Sequence, residues 1–304
     1  MCTNPVFLKK QSMFVPCRQC PECRLQRAKE WACRLHYELK SHSNACFITL
    51  TYDNNHYTPK LIKKDVQNFI KRLRYAIQPT KIKYFLCGEY GDRTFRAHYH
   101  AIIFGYDFPD RVPRGKSHKG YNLYVSPMLS NLWTKGFHTI QDTSIATCIY
   151  TALYTAKSKY HLPESLRDAP EFNLMSQNLG VDAIIADYDA IKQTDEIWID
   201  GQNYIVPQAV LNKLFVTRDK DGCIVAKDDE YIQLKDRRIA HYREKYPDHV
   251  KLADEFIAAY DVDIDEVVDR IKSINRVLQA EREFRKPLDE KIYRQKNRCL
   301  TKTL

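Results

Sequence analysis

Ile82-Lys-Tyr-Phe-Leu-Cys-Gly-Glu-Tyr-Gly-Asp-Arg-Thr-Phe-Arg-Ala-His-Tyr-His-Ala-Ile-Ile-Phe-Gly105 is the stretch that decides how this chain folds. Ile82 to Cys87 and His98 to Phe104 are short runs rich in aromatic and β-branched residues, which predicts two strands. The first is closed by Gly88-Glu89-Tyr90-Gly91 and the second by Gly105. Gly91 to Ala97 is short enough for a hairpin loop, so the two strands pair antiparallel. Side chains alternate along a strand, which puts His98 and His100 on one face, roughly 6.6–6.8 Å apart at Cα. Glu89 lies across the hairpin, nine residues before His98. Two imidazoles and a carboxylate at this spacing suit a divalent cation, and mixed N/O ligation fits Mn²⁺ or Mg²⁺ acting on a phosphodiester. Two solvent-facing histidines on an amphipathic strand would give the same H-x-H pattern, so Glu89 carries the weight of the metal reading.

Working outward, Ala45 to Tyr52 reads as a further strand, ended by Asp53-Asn54-Asn55. Arg24 to Lys40 and Leu61 to Ile77 have apolar residues at helical spacing and basic residues on the other face. On the second of these the basic face holds Lys63, Lys64, Lys71, Arg72 and Arg74, candidates for phosphate contacts or simply a solvated helix face. Residues 106–142, with Pro109, Pro113, Gly115, Gly120, Pro127 and Gly136, read as irregular, and Ile145 to Lys159 as helical. Pro163 and Pro170 mark a boundary. Beyond it, Glu196 to Val206 reads as a hairpin around Asp200-Gly201, and 230–246, 250–260 and 264–284 as charged amphipathic helices. The expectation is an α+β chain in three parts: a Cys-rich segment with a basic helix (1–44), an antiparallel-sheet core (45–165), and a hairpin-plus-helix region (166–304).

Composition narrows the function. The 304 residues are 44% hydrophobic and 28% charged, as in ordinary globular proteins. No apolar run approaches the 18 residues of a membrane span, and Met1-Cys-Thr-Asn-Pro5 opens no signal-peptide core. The net charge of +10 is unevenly spread. Residues 1–160 hold 25 Lys/Arg against 10 Asp/Glu, while 161–304 hold 23 against 28. The basic part is an electrostatic footprint for a polyanion, most often nucleic acid.

Two further patterns carry chemistry. Tyr150-x-x-x-Tyr154-x-x-Lys157 on a helix places two phenols about 40° apart on one face, with a lysine beside them. A phenol is a poor nucleophile at neutral pH unless activated, and a cation on the phosphate together with a lysine at the leaving oxygen compensates. Packing aromatics give the same spacing, and Tyr242/Tyr246 repeats it without the lysine. Cys17-x-x-Cys20-x-x-Cys23 is the least accidental pattern in the chain, expected by chance about 0.01 times at this composition. It suits a structural Zn²⁺ with Cys2, Cys33 or His36 as fourth ligand, or less readily an Fe–S cluster. Ten cysteines without a secretion signal fit a reducing compartment.

In order, these residues resemble the replication initiators of microviruses, the small circular single-stranded DNA phages, and in particular the gokushovirus-type proteins of the HUH endonuclease superfamily. The resemblance runs through Val15-Pro-Cys-Arg-Gln-Cys-Pro-Glu-Cys23, Phe47-Ile-Thr-Leu-Thr-Tyr52, Cys87-Gly-Glu-Tyr-Gly91, Arg96-Ala-His-Tyr-His-Ala-Ile-Ile-Phe-Gly105 and Tyr150-Thr-Ala-Leu-Tyr-Thr-Ala-Lys157, with a weaker echo in Phe172-Asn-Leu-Met-Ser176. The family's H-U-H usually has a bulky apolar middle residue; here it is Tyr99. The resemblance implies a ferredoxin- or RRM-like antiparallel sheet with helices on one side. It implies His98, His100 and Glu89 as ligands of Mg²⁺ or Mn²⁺. It also implies Tyr150 and Tyr154 as nucleophiles that form a 5′-phosphotyrosine at an origin and free a 3′-OH for rolling-circle synthesis. The implied partners are single-stranded and replicative-form circular DNA with the host helicase and polymerase, in the bacterial cytoplasm and away from membranes. A zinc-containing nucleic-acid-binding protein without catalysis, or a two-tyrosine HUH transposase, are the competing readings. Residues 166–304 carry no Walker A motif, so no fused helicase is expected.

Overall fold

The computed structural model describes residues 6–8, 13–91, 94–118, 120–156, 162–192, 194–220, 224–227 and 229–245. The chain begins with β1 (Val6–Leu8), β2 (Met13–Val15), α1 (Pro21–Lys40), β3 (Ala45–Tyr52), α2 (Lys63–Ala76), β4 (Lys83–Tyr90) and β5 (Ala97–Phe104). It continues through β6 (Val112–Lys116), β7 (Asn122–Val125), α3 (Pro127–Leu132), β8 (Gly136–Asp142), α4 (Ile145–Leu153) and β9 (Phe172–Met175). The remainder is α5 (Val181–Ala186), α6 (Tyr188–Ile191), β10 (Glu196–Ile199), β11 (Gln202–Ile205), α7 (Gln208–Phe215), β12 (Val216–Arg218), β13 (Ile224–Ala226) and α8 (Asp229–Lys245). Two compact units result: Arg24–Val210, and Met1–Cys23 with Leu211–Leu304.

The larger unit is built on a seven-stranded antiparallel sheet in the order β6-β7-β8-β3-β5-β4-β9. The fold is α+β, consistent with the HUH architecture. The hairpin expected over 82–104 is β4–β5, in register from Lys83 opposite Phe104 to Tyr90 opposite Ala97. Its first strand runs on through Gly88 and Glu89 instead of ending at Cys87. Gly88 acts here as a spacer: a Cβ would lie 2.9 Å from the Phe172 ring.

Residues 106–142, expected to be irregular, hold three strands and a helix. The misleading prolines and glycines sit where such elements tolerate them. Pro113 and Gly115 flank a bulge in the edge strand β6. Pro127 opens α3 behind Ser126, whose hydroxyl accepts the Leu129 N–H. Gly136 opens β8 at φ +150, where a Cβ would lie 2.3 Å from the Asp53 nitrogen. The sheet also draws its seventh strand, β9, from beyond the proline-marked limit at 165. At four residues that strand is too short to carry a clear periodic pattern.

Helices cover both faces of the sheet, a correction to the expected single-sided arrangement. On one face Ile48, Leu50, Tyr52, Leu86, Tyr90, Tyr99, Ala101 and Ile140 form a core with Val66, Phe69, Ile70 and Leu73 of α2 and with Leu129, Leu132 and Trp133 at α3. The other face is divided. At one end Phe47, Phe85 and Ile102 are 0–3% exposed, and Trp31 of α1 packs on Phe85 at 5.0 Å. At the other end the same face turns polar, with Thr49, Thr51, Glu89, His98 and His100, and only α4 approaches it. An apolar face must be covered and a polar one need not be, so the site lies where the apolar pattern stops.

Later in this unit β10 and β11 form the expected hairpin, turning at Asp200 (φ 48) and Gly201 (φ 73), the left-handed pair of a type I′ turn. The smaller unit pairs β1 with β2 and β12 with β13, and α8 matches the helix expected at 230–246. The helices expected at 250–260 and 264–284 lie outside the described residues.

Candidate active site

Strand register builds the site. His98 stands opposite Glu89 on β4 and Thr51 on β3, and His100 stands opposite Cys87 and Thr49. Antiparallel partners share a face, so Glu89, His98, His100 and Thr49 all project to the same side. The His100 ring is held at both nitrogens: Nδ1 lies 3.0 Å from Thr49 Oγ1 and Nε2 lies 3.0 Å from Glu89 Oε1. The His98 Nδ1 lies 2.6 Å from the Arg96 carbonyl oxygen. A carbonyl only accepts, so Nδ1 carries the proton and Nε2 keeps its lone pair. Burial, foremost, holds the His98 pKa below the usual imidazole value, which favours this neutral form. The two rings are parallel, with centroids 6.5 Å apart. His98 lies against Gly91, where a Cβ would meet its Cε1 at 3.2 Å.

The donor set of two imidazoles and one carboxylate suits Mg²⁺ or Mn²⁺, and each histidine has its Nδ1 occupied by a neighbour, as in metal sites with an ordered outer layer. These three groups stand further apart than the ligands of a closed metal site. Among the described residues, the cluster of three or more ligand-type residues with all ligand atoms within 4.8 Å is Cys17, Cys20 and Cys23. Glu89 already reaches His100, and because it stands directly opposite His98, with Cβ atoms about 5 Å apart, rotation of side chains suffices to bring the third group in.

The tyrosines arrive from above. Ser144 caps α4 in a capping box with Thr147, fixing where the helix starts. Tyr150 is 42% exposed and lies edge-on to His100 at 6.0 Å and to Phe47 at 6.2 Å. The α-helix ends at Leu153, and Tyr154 begins a 3₁₀ turn, a shorter helix than the expected run to Lys159. Tyr154 stacks on His100, centroids 5.4 Å apart and 11° from parallel. Its hydroxyl donates to that of Tyr150. Burial and then the negative charge of Glu89 push the Tyr154 phenol far above its ordinary value. Lys157, expected beside them, lies outside the described residues.

The basic helix is elsewhere. Lys63, Lys64, Lys71, Arg72 and Arg74 belong to α2, on the sheet face opposite the histidines. Arg72 donates twice to the Leu132 carbonyl, Arg74 lies over the Tyr84 ring and Lys63 near the Phe172 ring. Sequence reasoning also missed Thr49. Its signal was available: a residue two strands from Glu89, at the register position of His100, is legible once β3 is paired with β5.

In the smaller unit the three cysteines converge. Cys17 and Cys20 precede α1, and Cys23 lies in its first turn. The backbone N–H groups of Gln19 and Cys20 both donate to Cys17 Sγ, at 3.4 and 3.3 Å. Such donors stabilise a thiolate, as does a helix N-terminus. Cys33 and His36 lie ten and thirteen residues along α1 from Cys23, about 15 and 20 Å by helical rise, which removes both as fourth ligand. Cys2 lies outside the described residues. Burial drives the thiols of Cys33 and Cys148 up to about 12, leaving them as inert core groups.

Residues 45–159 match the family model of the replication-associated protein ORF2. The chain is 34% identical over 197 residues to the replication-associated protein ORF2 of Spiroplasma virus 4, covering 61% of each chain. It is 34% identical over 158 residues to the replication-associated protein VP4 of Bdellovibrio phage phiMH2K, 49% of this chain and 50% of that one. It is 30% identical over 215 residues to the replication-associated protein ORF4 of Chlamydia phage 1, 66% of this chain and 53% of that one. The matches thus span about half to three-fifths of the length of these relatives. No solved structure matches. The matched region contains the sheet from β3 to β8, the histidine hairpin and the tyrosine helix, and the resemblance to microvirus replication proteins is thereby shown: this chain is a homologue of the phage replication-associated proteins, with an ORF2-type replication domain at residues 45–159.

Proposed function

We propose that this chain initiates rolling-circle replication as an HUH endonuclease, nicking and transferring single-stranded DNA at one origin phosphodiester. The observation that carries the reading is the stack of Tyr154 on His100, with Tyr150 hydrogen-bonded to Tyr154 and Glu89 on the far side of the same imidazole. Two phenols are brought to the side chains suited to a divalent cation. His98, His100 and Glu89 would hold that Mg²⁺ or Mn²⁺, which supplies charge neutralisation and polarisation at the scissile phosphate. Thr49 and the Arg96 carbonyl hold the two imidazoles in place. A tyrosine oxygen forms a bond to phosphorus as the bond to the 3′ oxygen breaks. The leaving oxygen keeps the bonding pair and takes a proton, giving a free 3′-OH and a 5′-phosphotyrosine. Lys157 is the proposed donor of that proton, replenished by the one the phenol releases. Rejoining runs the same exchange backwards, with a 3′-OH as the attacking group. The second tyrosine allows a second cut while the first still holds DNA. The partners are the circular phage DNA and the host helicase and polymerase, in the host cytoplasm; among the described residues no helix is long and apolar enough to cross a membrane.

The test is purified protein with Mn²⁺ and single-stranded oligonucleotides tiling the replicon, run on a denaturing gel. A covalent adduct on one oligonucleotide is expected, lost in the Tyr150→Phe/Tyr154→Phe double variant and in His100→Ala. Binding without adduct under any metal refutes nicking and favours the non-catalytic alternative.

Cys17, Cys20 and Cys23, with Cys2 as fourth ligand, form a structural zinc site in this proposal. The convergence of three sulfurs within 4.8 Å supports it.

A further inference from the structure

Phe137 is out of keeping with its surroundings. It is 59% exposed on β8, while the next residues on that face, Thr139 and Gln141, are polar. It stands opposite Thr51 on β3, and Thr51 stands opposite His98, which faces Glu89. Phe137, Thr51, His98 and Glu89 therefore form one straight row across four strands, on the face that holds the proposed metal ligands. At about 4.8 Å per strand, Phe137 is about 10 Å from His98. Folding does not ask for a phenylalanine here, since the sheet core lies on the other face with His138 and Ile140.

Two guanidiniums bracket it, each anchored to backbone beside it. Arg96 donates to the Tyr52 carbonyl at 2.5 Å, and Tyr52 is the strand partner of Gly136. Arg114 donates to the His138 carbonyl at 3.4 Å. The backbone under the ring is fixed as well, because Gly136 is packed against Asp53 and Thr51 too closely for any side chain. An aromatic face held on a rigid strand between two arginines matches how single strands are bound: bases stack on the ring and phosphates meet the cations.

We infer that Phe137 is the stacking platform for a base of the single strand about one to two nucleotides from the phosphate that is cut. The distance to the cut rests on the proposed nicking site; the stacking itself does not. The commitment is to unpaired bases, for a paired base hides its face.

The test uses two probes of equal length and charge, oligo(dT) and a wholly abasic strand, with fluorescence anisotropy in EDTA so that no cleavage enters. Wild type is expected to favour oligo(dT), and Phe137→Ala to lose about 5- to 100-fold on oligo(dT) while keeping its affinity for the abasic strand. Phe137→Trp should restore the preference. Equal loss on both probes, or no loss on either, overturns the inference. An unchanged abasic affinity certifies the fold. Because neither metal nor tyrosine is needed, a failure here is separate from a failure of the adduct assay.

Discussion

Tyr99, the residue between the two histidines, permits a prediction whose size can be worked out bond by bond. Alternation turns it away from His98 and His100 into the core, where it is 0% exposed. Its hydroxyl accepts the Ile62 N–H at 2.8 Å and pairs with the Tyr52 hydroxyl at 2.9 Å. Tyr52 sends its own proton to Asp65 Oδ2 at 2.7 Å, so Tyr99 is the donor in the tyrosine pair. Tyr99→Phe keeps the ring and removes one oxygen, which strands the Ile62 N–H and leaves the Tyr52 oxygen short of a donor. A lost hydrogen bond costs about 1 kcal/mol and a buried orphan about 1–3 kcal/mol. Ile62 is 38% exposed, so water recovers part of the cost there. The expected destabilisation is about 2 kcal/mol, read as a lower urea midpoint at unchanged slope. A Tyr52→Phe cycle should show a coupling of about 1 kcal/mol. Mn²⁺ affinity of the folded variant should stay at the wild-type value, because the oxygen lies on the opposite face from Glu89. A loss under about 0.5 kcal/mol, or a severalfold change in metal affinity, would refute the reasoning.

Thr49→Val should weaken Mn²⁺ binding about tenfold while Thr49→Ser keeps it, measured by metal titration, because the His100 Nδ1 loses its partner. Burial, before any other cause, depresses the imidazole pKa of His36 and of His138, so stability is present above pH 6.5 and is lost as the pH falls below it. His138→Gln, which keeps an acceptor for the Ser126 N–H, should flatten the urea-midpoint profile between pH 7.5 and 5.5; an unchanged slope counts against this. Gly180→Ala should cost more than about 3 kcal/mol, since φ is +71 and a Cβ would lie 2.0 Å from the Arg34 carbonyl oxygen. A thermal midpoint within a degree of wild type would contradict that geometry. Purified protein should carry one equivalent of zinc by metal analysis and Cys20→Ser much less; zinc-free wild type, or an iron–sulfur absorption band, would sink the zinc assignment.

The hairpin at 82–104 could be read from the chain because its signals are local: two apolar runs, glycine stops and a short loop. The capped start of α4 and the turn at Asp200-Gly201 were legible for the same reason. What escaped depended on distant partners. β6, β7 and β8 are interrupted by Pro113, Gly115 and Gly136, which look like breakers until the edge position, the bulge and the packing on Asp53 are known. β9 is a strand only because β4 offers it an edge. Helices on both faces follow from Phe47, Phe85 and Ile102, residues whose need for cover becomes visible once register places them side by side. In the site, the identities of His98, His100, Glu89, Tyr150 and Tyr154 were readable. Their grouping around the His100 ring, and the part of Thr49, required the pairing of β3 with β5.

The basic charge of residues 1–160 divides once the faces are assigned. The five cations of α2 lie behind the sheet: its helix axis is about 10 Å from the strands and its outer surface about 5 Å further. A single strand lying over His98 and His100 therefore cannot touch them. Three of the five also have work within the fold, at the Leu132 carbonyl and the Tyr84 and Phe172 rings. Arg96 and Arg114 are anchored instead to backbone in β3 and β8, the strands that flank the open polar part of the histidine face. Net charge is a sum over the surface and contains no direction, so it pointed to a polyanion without saying where one would lie. Strand register supplies the direction. The period of two that separates Tyr99 from its neighbours also separates core-building residues from those facing the tyrosines, and it makes the β8–β3–β5–β4 row, from Phe137 to Glu89, the shortest open path toward them.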